Sequence, residues 1–254
     1  ISLRDGVGSL VLSRLPATLE LVMVAVAAAC ALAAAAAVSA VYFRGRWPEL
    51  VVDGATGLVL AIPDFLWGLL FVLVLGVLLP VLPISGRIDP TLDFDPATGF
   101  YLAEALVRLQ WTTFVDLMRH IILPALALAL PLAAALTRVL KGSLIDAMNQ
   151  DYVTLVRVKG YSRARTLWRV ALRNALIPTV TLTGVQFSFL IGGTVLIEYL
   201  FSYPGIGNLA IAAVNQRDLP LIQGLVLTFA VLFILTNLAV DMAYSILDPK
   251  VRQA

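Results

Sequence analysis

The sequence is poor in the residues on which most enzymes depend: 254 residues hold one cysteine, Cys30, and one histidine, His120. A lone cysteine excludes an intrachain disulfide and a cysteine metal cluster, and a lone histidine excludes the paired-histidine zinc motif of intramembrane proteases. No nucleophile stands with an evident base beside it, so no catalytic and no metal-binding set is expected. Charge is scarce as well: 13% of residues are Asp, Glu, Lys or Arg, and the net charge is +2. So small and localised an excess argues against nucleic acid as a partner. No phosphate loop of the form G-x-x-x-x-G-K-[ST] occurs, and no short basic-then-apolar leader with a cleavage site opens the chain. Position 1 is isoleucine, which reads as a fragment whose N-terminus lies upstream.

What is present in abundance is apolar. Hydrophobic residues make up 60% of the chain and the mean hydropathy is +0.94, the composition of an integral membrane protein. A hydrocarbon core of about 30 Å takes about 20 helical residues to cross. Charge-free runs of that order cover 21–43, 65–86, 174–197 and 219–240, and the shorter run 121–137 extends if Arg119 and Arg138 snorkel. The expectation is an all-α integral membrane protein, a single transmembrane domain over 1–254. Its five spans are placed near 17–43, 58–82, 119–142, 175–199 and 219–246, the second starting near Leu58 with Pro63 and Asp64 in its first turns. An inner loop covers 143–174 and an outer loop 83–118; in the latter, 101–120 reads as one amphipathic helix at the membrane surface. Twelve of the eighteen Lys and Arg fall on the side of the inner loop. The positive-inside rule then puts the N-terminus of this stretch outside and the C-terminus in the cytoplasm.

The inner loop contains "VRVKGYSRARTLWRVALRNALIP", 156–178, with no acid between Asp151 and Glu198. Apolar residues at 144, 147, 148, 152, 155 and 156 mark one helix face, Gly160 stands where that helix ends, and Ser162 can cap the next. In that second helix Ala164, Leu167, Trp168, Ala171, Leu172 and Ala175 share one side, and Arg165, Arg169 and Arg173 another. Three readings of the arginines stand open: an orientation signal, contacts to anionic lipid, or a docking element for a second protein. A pair of helices broken at a glycine is more structure than orientation requires.

"DYVTLVRVKG", 151–160, followed by "RNALIP", 173–178, resembles the cytoplasmic signature loop of ABC importer permeases, in the version of the dipeptide and oligopeptide branch. "LPATLEL" at 15–21, "EYLFSYPGIG" at 198–207 and "DMAYSILDPKVR" at 241–252 resemble the same branch in the same order, so the likeness covers nearly the whole chain. Two departures are visible: Thr154, Leu155 and Val156 replace the general Glu-Ala-Ala, and the proline falls late, at Pro178. The resemblance implies the type I ABC importer permease helical bundle, with a sixth, N-terminal span missing from this chain. It further implies a bacterial or archaeal inner-membrane location and a pathway shared with a second homologous permease. A solute-binding protein would act outside, and separate ABC ATP-binding subunits would carry ATP and Mg, so that this chain holds no cofactor and is no enzyme. Asp151, Tyr152, Thr154, Leu155, Val156, Lys159, Gly160, Ser162, Arg163 and Arg165 are the residues it assigns to coupling with the ATPase. Peptides are the implied cargo, though the branch also resembles importers of nickel chelates and glutathione.

Glu198 is either a solvated residue at the end of a span or part of a polar lining. In the second reading "FSYPGIG" folds back as an outer segment that caps the pathway, with Tyr203, Pro204, Gly205 and Gly207 in its turn. Gln186, Ser188, Thr228 and Asn237 are polar groups inside spans and either bond between helices or line the path. The alternative function, a self-sufficient secondary transporter of small solutes, calls for ionisable groups at mid-membrane and inverted repeats. Neither is visible.

Overall fold

The computed structural model describes residues 6–247, without the side chains of Arg157, Ser188, Asp241 and 243–247. Every regular element among them is helical. In order these are α1 (Val7–Tyr42), α2 (Trp47–Ala61), α3 (Asp64–Phe71) running into a π-helical stretch Val72–Leu78, α4 (Tyr101–Val107) and α5 (Trp111–Met148). Then come α6 (Asp151–Val158), α7 (Arg163–Thr166), a second π-helical stretch Leu167–Ala171, α8 (Leu172–Leu200), α9 (Ile206–Asn215) and α10 (Leu219–Leu247). In lipid a backbone must satisfy its own hydrogen bonds, and a helix does so within one segment. Val7–Tyr42, Trp111–Met148 and Leu219–Val240 are each long and apolar enough to cross a bilayer; two broken pairs, Trp47–Ala61 with Asp64–Leu78 and Arg163–Phe187 with Phe189–Leu200, bring the number of spans to as many as five.

Two breaks depart from the expected layout. The second span does not begin near Leu58 and carry Pro63 through its first turns: α2 already starts at Trp47, and Ile62 (φ −107°, ψ 126°) leaves the helix before Pro63. Proline crowds the α conformation of the residue before it, which accounts for the break. The amphipathic helix expected over 101–120 is likewise two helices. Leu109 takes φ 54°, the Gln110 N–H donates to the carbonyl of Ala105 and the Leu109 N–H to that of Leu106. This is the Schellman ending of a helix, normally built on glycine. Residues 111–120 are therefore the first turns of α5, with Leu117 and His120 buried, and not a surface helix.

The chain divides into two compact units. One comprises the chain up to Ala25, Pro63–Ala129 and Phe187–Leu235; the other comprises Val26–Ile62, Leu130–Gln186 and the chain from Thr236 on. In the first, Ala17, Leu21 and Ala25 of α1 pack with Leu123 and Leu128 of α5 and with Ile197, Phe201 and Tyr203. The spacing of four along α1 sets small side chains on one stripe, which lets a neighbouring backbone approach where lipid gives no hydrophobic push. The connection between the α3 segment and α4 folds on its own polar groups. The amide and hydroxyl of Thr98, with the Ala97 amide and then Arg108, hold the Glu104 carboxyl below the usual carboxylate range.

In the second unit, Ala37, Val38 and Val41 pack with Leu140, Leu144, Leu167 and Ala171. Lys141 of α5 bridges Glu49 and Asp53 of α2 at 2.8 and 2.7 Å. At Gly184 of α8 a Cβ would stand 2.5 Å from Cγ1 of Val240 of α10, so those two helices touch through the missing side chain. Gly184→Val is expected to cost about 1–3 kcal/mol by overpacking. Val240→Ala in the same chain should recover most of it, read as the thermal unfolding midpoint in detergent; no recovery would place the clash elsewhere.

Candidate functional site

Two constellations carry the residues singled out in the sequence. The first is the corner between α6 and α7. The polypeptide leaves α5 at Met148, turns through Asn149 and Gln150, and enters α6 at Asp151, so the helix read over 144–159 is interrupted there. Leu144, Ala147, Met148 and Val153 face the interior, whereas Leu155 is 62% and Val158 82% exposed. Gly160 has φ +83°, and the Tyr161 N–H donates to the carbonyl of Val156. The same Schellman geometry that ends α4 thus ends α6, here on the residue type that carries it without strain. Ser162 caps α7, its hydroxyl oxygen accepting from the Arg165 N–H at 3.3 Å.

The coupling residues then fall into two groups. Some build the corner: the Tyr152 hydroxyl accepts from Asn174 at 3.0 Å, and Arg163 donates to the carbonyl of Val41 at 3.1 Å with its guanidinium over Tyr42. The others face outward: Asp151, Thr154, Leu155 and Lys159 are exposed, and Arg165 lies over the exposed ring of Tyr161. Val156 is half-buried. Leu167, Ala171 and Ala175 are buried as the helical spacing anticipates, but Trp168 is 55% exposed. The π-helical turn Leu167–Ala171 is the reason, since a wider turn moves the residues on it out of α register. The corner is an outward tip with apolar and basic side chains and no acid among its exposed residues after Asp151.

The second constellation is the turn after α8, and here the solvated reading of Glu198 is overturned. Its side chain has no exposure. One carboxylate oxygen accepts from the Thr18 hydroxyl at 2.6 Å; the other accepts from the Gly207 and Asn208 N–H groups at 2.8 and 3.1 Å, the first turn of α9. The Thr18 oxygen in turn accepts from Ile206 N–H at 2.9 Å. Glu198 therefore caps α9 from outside that helix, where free N–H groups and the helix dipole both favour an anion. Ser202 (φ 48°) turns the chain with a third Schellman pair, the Tyr203 N–H to Glu198 and the Ser202 N–H to Tyr199. A Cβ on Gly205 would strike the Glu198 carboxylate, and one on Gly207 would stand 2.6 Å from Cα of Val195. Glycine is needed at both for close approach. Burial pushes the Tyr203 phenol above its ordinary value.

"FSYPGIG" does fold back, but as a buried corner: Phe201, Tyr203, Gly205, Ile206 and Gly207 are buried, Pro204 and Asn208 half-buried, and Ser202 exposed. Glu198, Tyr203, Pro204, Gly205 and Gly207 come together in it. Gln186 and Asn237 do not; both belong to stretches of the second unit. Thr228 donates to the carbonyl of Gly224 within its own helix. The side chains of Ser188 and Asp241 lie outside the described residues. Thr18 and Asn208 were missed, though Thr18 sits in the quoted "LPATLEL" and is a hydroxyl in an apolar run.

Helical elements in this order, an outward corner after α6 and a buried turn after α8 define a transport permease rather than a catalyst. The fold matches a solved structure described as inward facing conformations of the MetNI methionine ABC transporter, with a TM-score of 0.66 at 14% identity, over 91% of this chain and 93% of that one. This is the type I ABC importer permease fold.

Residues 25–253 match the family described as binding-protein-dependent transport system inner membrane component, and the chain belongs to that family. It is 39% identical to the di/tripeptide transport system permease protein DppB of Pseudomonas aeruginosa (strain UCBPP-PA14), over 99% of this chain and 75% of that protein. Against the dipeptide transport system permease protein DppB of Escherichia coli (strain K12) the identity is 36%, over 94% of this chain and 71% of that one. For the protein of that name in Haemophilus influenzae it is 35%, over 93% and 71%. The chain is a membrane component of a binding-protein-dependent transport system.

The hydrogen bonds around Glu198 make a test. Glu198→Ala leaves the Gly207 and Asn208 N–H groups and the Thr18 hydroxyl without their acceptor, at an expected cost of about 1–3 kcal/mol per buried orphan group. Glu198→Gln keeps an acceptor oxygen and should retain most of the stability. Thermal unfolding of the purified protein in detergent separates them; equal losses would mean that charge, and not acceptor geometry, holds the turn.

Proposed function

We propose that this chain is one of two permeases of an ATP-driven importer of di- and oligopeptides, and that the corner at Gly160 is where a separate ATP-hydrolysing subunit docks. The observation that carries this is the outward tip: Leu155, Val158 and Tyr161 are exposed together beside Lys159 and Arg165, with nothing of this chain covering them. Exposed apolar side chains ringed by cations suit a partner protein's cleft better than lipid headgroups alone. The names of the relatives support the peptide cargo, and the family description supports an external binding protein.

In this reading ATP and Mg are held by the partner subunits, and this chain supplies no catalytic group. Closure of the ATPase pair pushes on α6 and α7, and the rigid Gly160 corner passes that push into the spans, shifting the balance between inward-open and outward-open arrangements. A second permease covers apolar surface left open on α10, where Leu227, Ile234 and Leu235 are each more than half exposed. The start of this stretch lies outside the cell membrane and its C-terminus in the cytoplasm, which puts the basic corner on the ATP side.

Arg163 is already engaged with Val41, so the informative exchange is at the free cations. Lys159→Glu/Arg165→Glu is expected to abolish co-purification of the ATP-hydrolysing subunit from cells co-expressing the transporter, while the permease still inserts. Retention at the wild-type level would remove the docking role. Gly160→Val, which forces a side chain into the left-handed region, should lower ATP-driven uptake of a labelled dipeptide at least tenfold. Uptake that survives ATP depletion and collapses with the proton gradient would instead favour a secondary transporter.

A further inference from the structure

Outside both constellations the first unit holds a second buried charge. Glu20 of α1 and Arg87 of the outer connection form an ion pair at 2.6 Å with side chains 4% and 6% exposed. Taking two charges out of water costs more than their mutual attraction commonly returns, and an apolar pair of similar volume often serves stability as well or better. Such a pair calls for an account of what it holds in place.

It holds both ends of the outer connection on one residue of α1. The Arg87 nitrogen that meets Glu20 also donates to the carbonyl of Gly99 at 2.9 Å, and the guanidinium lies 3.7 Å from the centre of the Tyr101 ring. The second Glu20 oxygen accepts from the Leu102 N–H at 2.9 Å. Gly99, at φ +75°, lies so close to Pro16 of α1 that a Cβ would stand 3.1 Å from its ring. Entry and exit of the connection are therefore tied to a single carboxylate, and Gly86 ties the same entry to the turn after α8 by donating to Phe201 O at 3.0 Å. Thr18, which holds that turn through Glu198, is two residues from Glu20 and so on a different side of α1. The connection between these anchors presents Asp93 and Asp95 to solvent.

We propose that Glu20 and Arg87 are positioning residues for transport: they make the outer connection 86–102 and α1 move as one body, so that docking of a substrate-loaded binding protein on the connection is transmitted to α1. This rests on the importer reading above. Neither residue touches cargo or nucleotide. A purely structural pair would be replaceable by apolar side chains, whereas a positioning pair would not, because Leu and Met cannot reproduce three directed bonds to Gly99, Leu102 and each other.

The test uses the whole transporter in lipid nanodiscs, comparing wild type with Glu20→Leu/Arg87→Met. ATP hydrolysis is measured without and with increasing peptide-loaded binding protein. The expected result is basal hydrolysis within twofold of wild type, a maximal stimulation reduced at least fivefold, and a half-saturating binding-protein concentration changed less than threefold. Arg87→Lys, which keeps the charge but loses the fork and the stack, should fall between. Stimulation equal to wild type in the double variant would overturn the proposal, and so would failure of that variant to assemble or a parallel loss of basal rate, since each marks a merely structural pair. If the wild-type complex itself shows no stimulation, the importer reading fails and the proposal with it.

Discussion

The outer half of the first unit depends on a carboxylate that no water reaches. Glu198 sits without exposure at the end of α8, and its two oxygens are taken up by Thr18 of α1 and by the first N–H groups of α9. A buried anion without such partners would be intolerable, and a buried helix N-terminus without an acceptor nearly so. Each solves the other's problem. The glycines follow from that contact, because the carboxylate fills the space a side chain at Gly205 would need. Much of "EYLFSYPGIG" is thus one solution to the problem of turning a chain where solvent cannot help.

The inner corner solves the opposite problem. It must end a helix at a fixed angle while leaving its tip uncovered, and a left-handed glycine followed at once by a capping serine does this within three residues. Arg163 and Tyr152 bind back into the second unit and steady the base, while Lys159, Tyr161 and Arg165 stay outside. The basic residues therefore do not act as one class. Orientation in the bilayer asks only for their number; docking asks for their placement.

What could be read beforehand was whatever is local and periodic. The long apolar helices, the ending at Gly160 and the cap at Ser162 each rest on residues within one turn of one another, and these agree with the structure. Helix endings at Leu109, Ser202 and Arg217 have the same left-handed geometry without a glycine to announce it, and the break within 101–120 went unseen for that reason. Glu198 and the Glu20–Arg87 pair were misjudged or passed over because their partners are 180 and 67 residues away in the chain. A charge near the end of an apolar run looks solvated until its counterpart is found, and periodicity carries no information about counterparts.

The π-helical turn Leu167–Ala171 has a consequence of its own. Its bonds reach one residue further than those of an α-helix, so the turn stores a single surplus residue between the basic corner and α8. Were the surplus passed along the helix by local exchange of bonds, the side chains it crossed would rotate by about 100°, the angular step of one residue. Trp168 and Arg169 would swing with it, and no hydrogen bond need be lost for more than one step. A stored residue of this kind is a screw thread cut into the shaft: it converts an axial push into rotation, a form of motion that rigid α-helical rods alone do not provide.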